Sequence, residues 1–151
     1  MGLSLAVNNL DFDWGARTYV MGILNLTPDS FSGDGLLSAE AVRSALQQAR
    51  DFVAAGADIL DVGGESTRPG AEPVGVDDEL GRVIPIIRSL AAELPETVIS
   101  IDTYKARVAD AALDAGAHIV NDVWGLRADP DLAGVVAERN VPVILMHNRS
   151  N

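Results

Sequence analysis

The hydrophobic residues of the chain fall into short runs that alternate with longer amphipathic stretches. Five runs of four to six residues, most of them apolar, lie at 19–24, 58–62, 98–101, 118–122 and 141–146. Such runs are typical of strands buried on both faces of a parallel sheet. Ahead of them, residues 3–13 alternate apolar and polar positions around Asn8-Asn9. This pattern predicts a small β-hairpin, because Asn tolerates the positive φ of a tight turn.

Four amphipathic stretches between these runs predict crossover helices. Apolar residues recur at helical spacing over 38–56, which ends in a Gly stop. A second helix over about 77–94 contains Pro85, which predicts a kink. Thr103 is predicted to cap a third helix. The pair Asp129-Pro130 is predicted to open a fourth, as an N-cap followed by Pro at the first helical position.

The alternation of strands and helices predicts one α/β domain over residues 1–151. The segment 55–64 resembles the segment 115–125, each with a helix end, a Gly stop, a strand and a polar exit. This repeat supports a chain built of βα units. Five parallel strands with four helices fit an open doubly wound sheet or part of a closed (β/α)8 barrel. Length alone favours the open sheet, because a complete barrel usually needs about 250 residues.

Composition narrows the class of protein. The chain is 48% hydrophobic and 22% charged, which is typical of a soluble globular protein. A net charge of −11 argues against a nucleic-acid surface, and no apolar run approaches the roughly 18 residues of a membrane span. The sequence has no cysteine, which excludes disulfides and thiolate metal sites. We therefore expect a cytoplasmic protein without nucleic-acid or membrane partners.

Polar side chains follow every predicted strand, at the edge where parallel α/β folds bind their ligands. These strand ends carry Asn25, Asp61, Asp102-Thr103, Asn121-Asp122 and Met146-His147. Buried Asp and Asn side chains suit the edge of a flat nitrogen heterocycle, and the Asn25 amide oxygen suits hydrated Mg²⁺. The sequence shows no Ser-His-Asp motif, P-loop or dinucleotide fingerprint. We interpret the site as one that binds and positions its ligands.

Several of these residues also have a purely structural interpretation. Asp102-Thr103 suits a helix cap, and Asn121-Asp122 suits the capping of backbone amides. His147 is either a satisfied polar residue or a base, and Phe31 is either a loop anchor or a stacking platform. Arg68 is either a solvated loop charge or an anion clamp.

Two long motifs resemble the signatures of the dihydropteroate synthase family. They are "MGILNLTPDSFSGDG" at 21–35 and "GADILDVGGESTRPGA" at 56–71, and "ISIDTYK", "HIVNDVWG" and "VILMHNR" are similar to that family's next strand ends. The resemblance covers essentially the whole chain. It implies a (β/α)8 TIM-barrel fold, present here as an N-terminal β-hairpin plus about five parallel strands and four helices.

The resemblance also implies an activity. The family condenses (7,8-dihydropterin-6-yl)methyl diphosphate with 4-aminobenzoate to dihydropteroate, releasing diphosphate, in folate synthesis. Its members use Mg²⁺ and are typically homodimers. The catalyst stabilises the leaving anion and the cationic pterin, in keeping with a site that lacks a nucleophile.

The family's residue roles transfer to matching positions of this sequence. Asn25 is implied to bind Mg²⁺ and diphosphate, and Asp102 to stabilise charge that develops on the pterin. Asp29 and Arg68, in the loops after the first two strands, are implied to assist catalysis. The implied substrate contacts are Thr67, Asp102, Asn121, Asp61, Met146, Phe31 and Pro69.

The sequence also departs from the family pattern. "SFSGDG" differs from the commoner Ser-Phe-Ser-Asp-Gly-Gly order, and the family's later Asp, Lys and Arg-x-His site residues have no counterpart here. We therefore expect that the 1–151 polypeptide does not turn over alone. Two alternatives stay open: a pterin-binding methyltransferase, from which the "NLTPDSF" and "STRPGA" loops point away, and a non-catalytic pterin-binding module.

Overall fold

The computed structural model of the protein describes residues 4–26, 38–66 and 72–147. The elements in chain order are β1 Ser4–Val7, β2 Leu10–Asp13, β3 Met21–Asn25, α1 Ala39–Ala54, β4 Ile59–Gly63, α2 Val76–Glu93, β5 Val98–Asp102, α3 Ala106–Ala115, β6 Ile119–Asp122, α4 Leu132–Arg139 and β7 Val143–Leu145. The predicted hairpin, five strands and four helices are therefore confirmed. None of the described helices is both long and apolar enough to span a membrane.

The strand order decides between the two predicted folds. Strands β1 and β2 form an antiparallel hairpin, and β3 to β7 form one parallel sheet in sequence order. Consecutive helices pack against one another in a single layer. A doubly wound sheet instead reverses its strand order at a switch point and carries helices on both faces. The open-sheet alternative is therefore wrong, and the winding is that of a (β/α) barrel.

The start of α3 differs from the sequence prediction. The helix begins at Ala106, and the Thr103 hydroxyl accepts a hydrogen bond from the Lys105 amide at 3.2 Å. Thr103 therefore closes a turn ahead of the helix, and the prediction that it caps the helix is wrong. The first helical amide, of Ala106, donates instead to Asp129 Oδ2 at 2.8 Å. This cap comes from the β6–α4 connection, which no local pattern reveals.

The start of α4 also lies further along the chain than predicted. The helix begins at Leu132, and Asp129 Oδ1 accepts from the Asp131 amide at 3.0 Å. Pro130 and Asp131 lie in a turn, so the prediction that Asp129-Pro130 opens the helix is wrong. One carboxylate thus holds the approach to α4 and the first turn of α3. Pro85 lies inside a continuous α2, and its kink stays a prediction.

The two faces of the sheet bury different apolar clusters. On the helix side, the core includes the fully buried residues Leu60, Val62, Ile99 and Ile101. On the opposite side, Ile59, Val98 and Ile119 near the strand starts pack against Val7 and Phe12 of the hairpin. Burial of these side chains stabilises the fold by removing apolar surface from water. The hairpin covers the amino ends of the strands and leaves their carboxyl ends clear.

Strands β3 and β7 lie at the two edges of the parallel sheet. The interior strand β4 is buried throughout, whereas Ile23 of β3 and Leu145 of β7 are each about half exposed. Within the described residues, no strand pairs with the outer edge of either one.

Replacement of Gly22 tests the close approach of β3 and α1. A Cβ at Gly22 would lie 2.6 Å from Phe52 Cδ2, so the aromatic ring would have to move. We expect Gly22→Ala to lower the free energy of unfolding in urea by roughly 1–3 kcal/mol, the usual cost of overpacking. Gly81→Ala is the matched control, because a Cβ there meets nothing within 4 Å and Ala favours the helix by about 0.5–1 kcal/mol. Equal stability of Gly22→Ala and the unchanged protein would contradict this packing.

Candidate functional site

Strand register brings the predicted site residues together at the carboxyl edge of the sheet. The uppermost row consists of Asn25, Gly63, Asp102 and Asn121, each paired with its neighbour. One row below lie Ile23, Asp61, Ser100 and Ile119. Alternate residues of a strand share a face, so both rows face the same side. The sequence suggested that Asp61 ends its strand. In the structure it is the middle residue of β4.

Gly63 leaves an open space between two polar side chains. A Cβ at this position would lie 3.7 Å from Asn25 Oδ1 and 3.6 Å from Asp102 Oδ2. Both oxygens therefore border the space above Gly63. That space can receive a polar ligand edge or a hydrated cation.

Asp61 forms the floor of the site and orients Asn121. Only 3% of Asp61 is exposed, and its Oδ2 accepts a hydrogen bond from Asn121 Nδ2 at 3.0 Å. The amide nitrogen of Asn121 thus turns toward the floor, which leaves its carbonyl oxygen as the acceptor available to a ligand. Burial, the largest effect, raises the pKa of Asp61, against the opposing effects of the Ser100 hydroxyl and the Asn121 amide.

Two buried polar atoms at this level lack partners. Asp61 Oδ1 and Ser100 Oγ have no hydrogen-bond partner by distance and angle in the described part of the chain, although the Ser100 hydroxyl lowers the pKa of Asp61. Buried polar atoms are nearly always hydrogen-bonded, so each exception calls for an explanation. Their position directly below the polar row makes them part of the same site.

Asp102 carries the largest electrostatic perturbation in the site. Burial raises its pKa to about 7, assisted by the negative charges of Asp61, Glu79, Asp122 and Glu65. Near neutral pH this carboxyl group therefore exists in both protonation states. It can donate a hydrogen bond to a ring nitrogen or stabilise a positive charge, and such perturbed groups cluster at functional sites.

Asp122 has a structural role that Asn121 does not share. Its fully buried carboxylate accepts from the amides of Trp124 at 2.8 Å and Leu126 at 2.5 Å, and its backbone carbonyl accepts from Met146. These bonds fix the loop after β6, where Leu126 has a φ of 61°. The amide-capping interpretation is confirmed for Asp122, whereas the side chain of Asn121 bonds to Asp61.

The structure contains a group of charged residues beside Asp102 that the sequence analysis did not predict. Lys105 Nζ donates to Oε2 of both Glu65 and Glu79, and the Tyr104 hydroxyl donates to Glu65 Oε1 at 3.3 Å. Glu79 looks like an ordinary solvated residue of the first helical turn, and nothing local marks it as buried. Lys105, a cation shortly after the polar end of β5, is the sequence feature that could have indicated this group.

Comparisons with known proteins point to one family. The family described as pterin binding enzyme matches residues 21–151. The chain belongs to the pterin binding enzyme family. A dihydropteroate synthase from Clostridium beijerinckii is 49% identical over 97% of this chain, a match that spans 54% of the relative.

Solved structures of dihydropteroate synthases have a fold similar to that of this chain. Dihydropteroate synthase from Clostridium difficile, determined in the presence of pteroic acid, is 54% identical with a TM-score of 0.85. The match covers 93% of this chain and 52% of that one. The Xanthomonas albilineans enzyme, with 4-aminobenzoic acid, is 47% identical with a TM-score of 0.79, covering 89% and 48% of the two chains. The chain thus spans about half the length of the relatives it matches.

The remaining predicted site residues divide into two groups. The first group comprises Met146 and His147, which follow β7. Met146 is about half exposed, and its amide donates to the Asp122 carbonyl. His147 is exposed. The second group, Asp29, Phe31, Thr67, Arg68 and Pro69, lies outside the described residues.

A separate cavity of about 360 Å³ lies between β3 and α1. Its lining includes Asn25, Ser38 and Ser44. Asp61, Asp102 and Asn121 are not among the residues that line it. Asn25 therefore borders both this cavity and the open space above Gly63.

Asp102→Asn tests the charge environment of the site through stability. The folded pKa of Asp102, about 7, exceeds its ordinary value of 3.8, so its contribution to stability is present below about pH 4 and is lost as pH rises through 7. We expect Asp102→Asn to be more stable than the unchanged chain at pH 8, by on the order of 1–3 kcal/mol. The difference should shrink toward pH 4 in urea titrations. Asp11→Asn, on an exposed position of β2, is the matched control; a pH-independent difference for Asp102→Asn would contradict the environment described.

Proposed function

We propose that this chain supplies the first five strands of a dihydropteroate synthase site. In the proposed reaction, the pterin-methyl group is transferred from its diphosphate ester to 4-aminobenzoate. The observation that carries the proposal is the polar face formed by Asn25, Asp61, Asp102 and Asn121 around the space above Gly63. The relatives' names and the ligands named with their structures support the choice of substrates.

Pterin recognition is assigned to Asp102 and Asn121. The pterin ring offers donors and acceptors along one edge, which match a carboxyl group and an amide carbonyl. Asp61 holds Asn121 in the required orientation through the 3.0 Å hydrogen bond. Because this bond fixes the amide before the ligand arrives, less ordering remains to be done on binding.

In the transfer step, the bond between the pterin methylene carbon and the diphosphate oxygen breaks, and its electron pair leaves with diphosphate. The lone pair of the aryl amine forms the new C–N bond, and the nitrogen then loses a proton. Positive charge develops on the pterin as diphosphate departs. Ionised Asp102 stabilises this charge from a partly buried position, where electrostatic interactions are stronger than in water.

Mg²⁺ is the proposed metal ion, with Asn25 as its protein ligand. Among the described residues, no group of three or more His, Asp or Glu side chains is placed to hold a metal ion. Mg²⁺ usually keeps several waters and takes one or two protein oxygens together with substrate phosphates, so a single amide oxygen beside an open space fits this ion. When bound, it would neutralise charge on the diphosphate.

The remaining assignments of the proposal concern loops and partners. Asp29 and Arg68 are assigned to catalysis near the diphosphate, and Thr67, Phe31, Pro69 and Met146 to substrate contacts. We further propose a cytoplasmic protein that acts on small molecules, without nucleic-acid or membrane partners, and a homodimer for the full-length members of the family. The net charge of −11 supports the nucleic-acid part of this assignment.

Gly63→Ala tests the proposed site with little risk to the fold. The added methyl group meets Asp102 and Asn25 at ordinary van der Waals distances, yet it fills the space assigned to the ligand. We expect the affinity of the chain for 6-hydroxymethyl-7,8-dihydropterin diphosphate, measured by calorimetry with Mg²⁺, to fall at least about tenfold, or roughly 1.4 kcal/mol. Gly81→Ala serves as the control.

Three outcomes would count against the proposal. They are absence of binding to the unchanged chain, equal affinity of Gly63→Ala, and preference for 5-methyltetrahydrofolate over the dihydropterin diphosphate. The last result would favour the methyltransferase alternative.

A further inference from the structure

Three charged residues, two of them buried and one partly buried, form a cluster beside the proposed pterin site. In this charge cluster of Glu65, Glu79 and Lys105, the lysine ammonium bonds to one oxygen of each carboxylate. Glu79 is 1% exposed and Lys105 is 8% exposed. The cluster connects three elements: the exit of β4, the first turn of α2 and the exit of β5.

Stability alone does not account for the charge cluster. Burying three charges carries a desolvation cost, and well-packed apolar residues in such positions are often as stable or more stable. Burial lowers the pKa of Lys105, but the two carboxylates raise it by more, so the ammonium stays charged. Two carboxylates and one ammonium leave one net negative charge inside the protein.

The charge cluster is linked to Asp102 through a short segment that two hydrogen bonds hold. The Thr103 amide donates to the Asn121 carbonyl at 3.0 Å, and the Thr103 hydroxyl accepts from the Lys105 amide. Segment 102–105 is thus held by β6 at one end and by the lysine side chain at the other. This segment joins Asp102 directly to the anchored Lys105.

The exit of β4 is held equally tightly against α2. The Gly64 carbonyl accepts from Arg82 Nη1 at 2.9 Å, and a Cβ at Gly64 would lie 2.8 Å from Val83 Cγ1. Glu65, the next residue, then reaches Lys105. The charge cluster thereby ties the exit of β5 to the rigid junction between β4 and α2.

We propose that the charge cluster of Glu65, Glu79 and Lys105 is a positioning device that holds Asp102 toward the space above Gly63 and places one net negative charge beside it. This inference rests on the proposed function, in which Asp102 meets the pterin ring. The charges around Asp102 support this inference, because Glu65 and Glu79 join Asp61 and Asp122 in raising the pKa of Asp102. Removal of one cluster carboxylate should therefore change both the placement of Asp102 and its proton affinity.

Glu65→Gln is the decisive variant, because it leaves Lys105 in a neutral pair with Glu79. We expect the affinity for 6-hydroxymethyl-7,8-dihydropterin to fall about 3- to 30-fold, the usual size of coupling between neighbouring side chains. The loss should disappear when Glu65→Gln is combined with Asp102→Asn, because the cluster acts through Asp102. Glu138→Gln, an exposed site on α4, is the matched control for the same chemical change.

A second measurement needs no ligand. The ¹³C resonance of the Asp102 carboxyl group, assigned by its loss in Asp102→Asn, should titrate at lower pH in Glu65→Gln and lower still in Glu79→Gln, whose charge has the larger effect on Asp102. Lys105→Arg, which keeps the positive charge, should leave the titration near that of the unchanged chain. If Glu79→Gln does not fold, Glu65→Gln alone decides.

The outcomes separate this inference from the proposed function. Equal affinities and an unmoved titration in Glu65→Gln would overturn the inference, as would strictly additive effects of Glu65→Gln and Asp102→Asn on binding. An unchanged chain that binds no pterin would contradict the proposed function. A shifted Asp102 titration in that case would still support the action of the charge cluster on Asp102.

Discussion

The parallel register of the sheet is the constraint on which the site depends. Leu60, Val62, Ile99 and Ile101 point into the helix layer and are fully buried. A slip of one residue would exchange the two faces of a strand, placing Asp61 or Asp102 in the apolar core and an aliphatic side chain in the site. Apolar packing on one face therefore specifies the polar row on the other.

The acidic groups around the site differ in their hydrogen-bond partners. Asp122 accepts two backbone amides, Asp61 accepts the Asn121 amide, and Glu65 and Glu79 share the Lys105 ammonium. Asp102 faces the space above Gly63 and carries the pKa of about 7. Burial and the surrounding negative charges thus make the ionised form of Asp102 costly, and such a cost at a binding group is a common source of the trade-off between stability and function.

The sequence was most informative where local pattern and tertiary structure agree. Apolar runs identified β3 to β7, and the placement of polar residues after them correctly brought Asn25, Asp102 and Asn121 to one edge. The depth of Asp61 was not predictable, because the run gives the strand but not its last paired residue. Thr103 and Asp129 were misassigned because their partners are set by a turn and by a neighbouring helix. The burial of Glu79 depends on Lys105, 26 residues away.

The layers of side chains beneath the polar row change from apolar at the amino ends of the strands to polar below the site. At the amino ends of the strands, the hairpin residues Val7 and Phe12 close the sheet with apolar contacts. The next layer up holds Asp61 Oδ1 and Ser100 Oγ, which have no partner in the described residues. Leaving a buried polar atom without a partner costs about 1–3 kcal/mol, so the floor loses stability wherever these two atoms stay unpaired. A polar ligand edge or an ordered water that reached them would recover part of that energy. The floor therefore favours a polar occupant, in agreement with the row of acceptors above it.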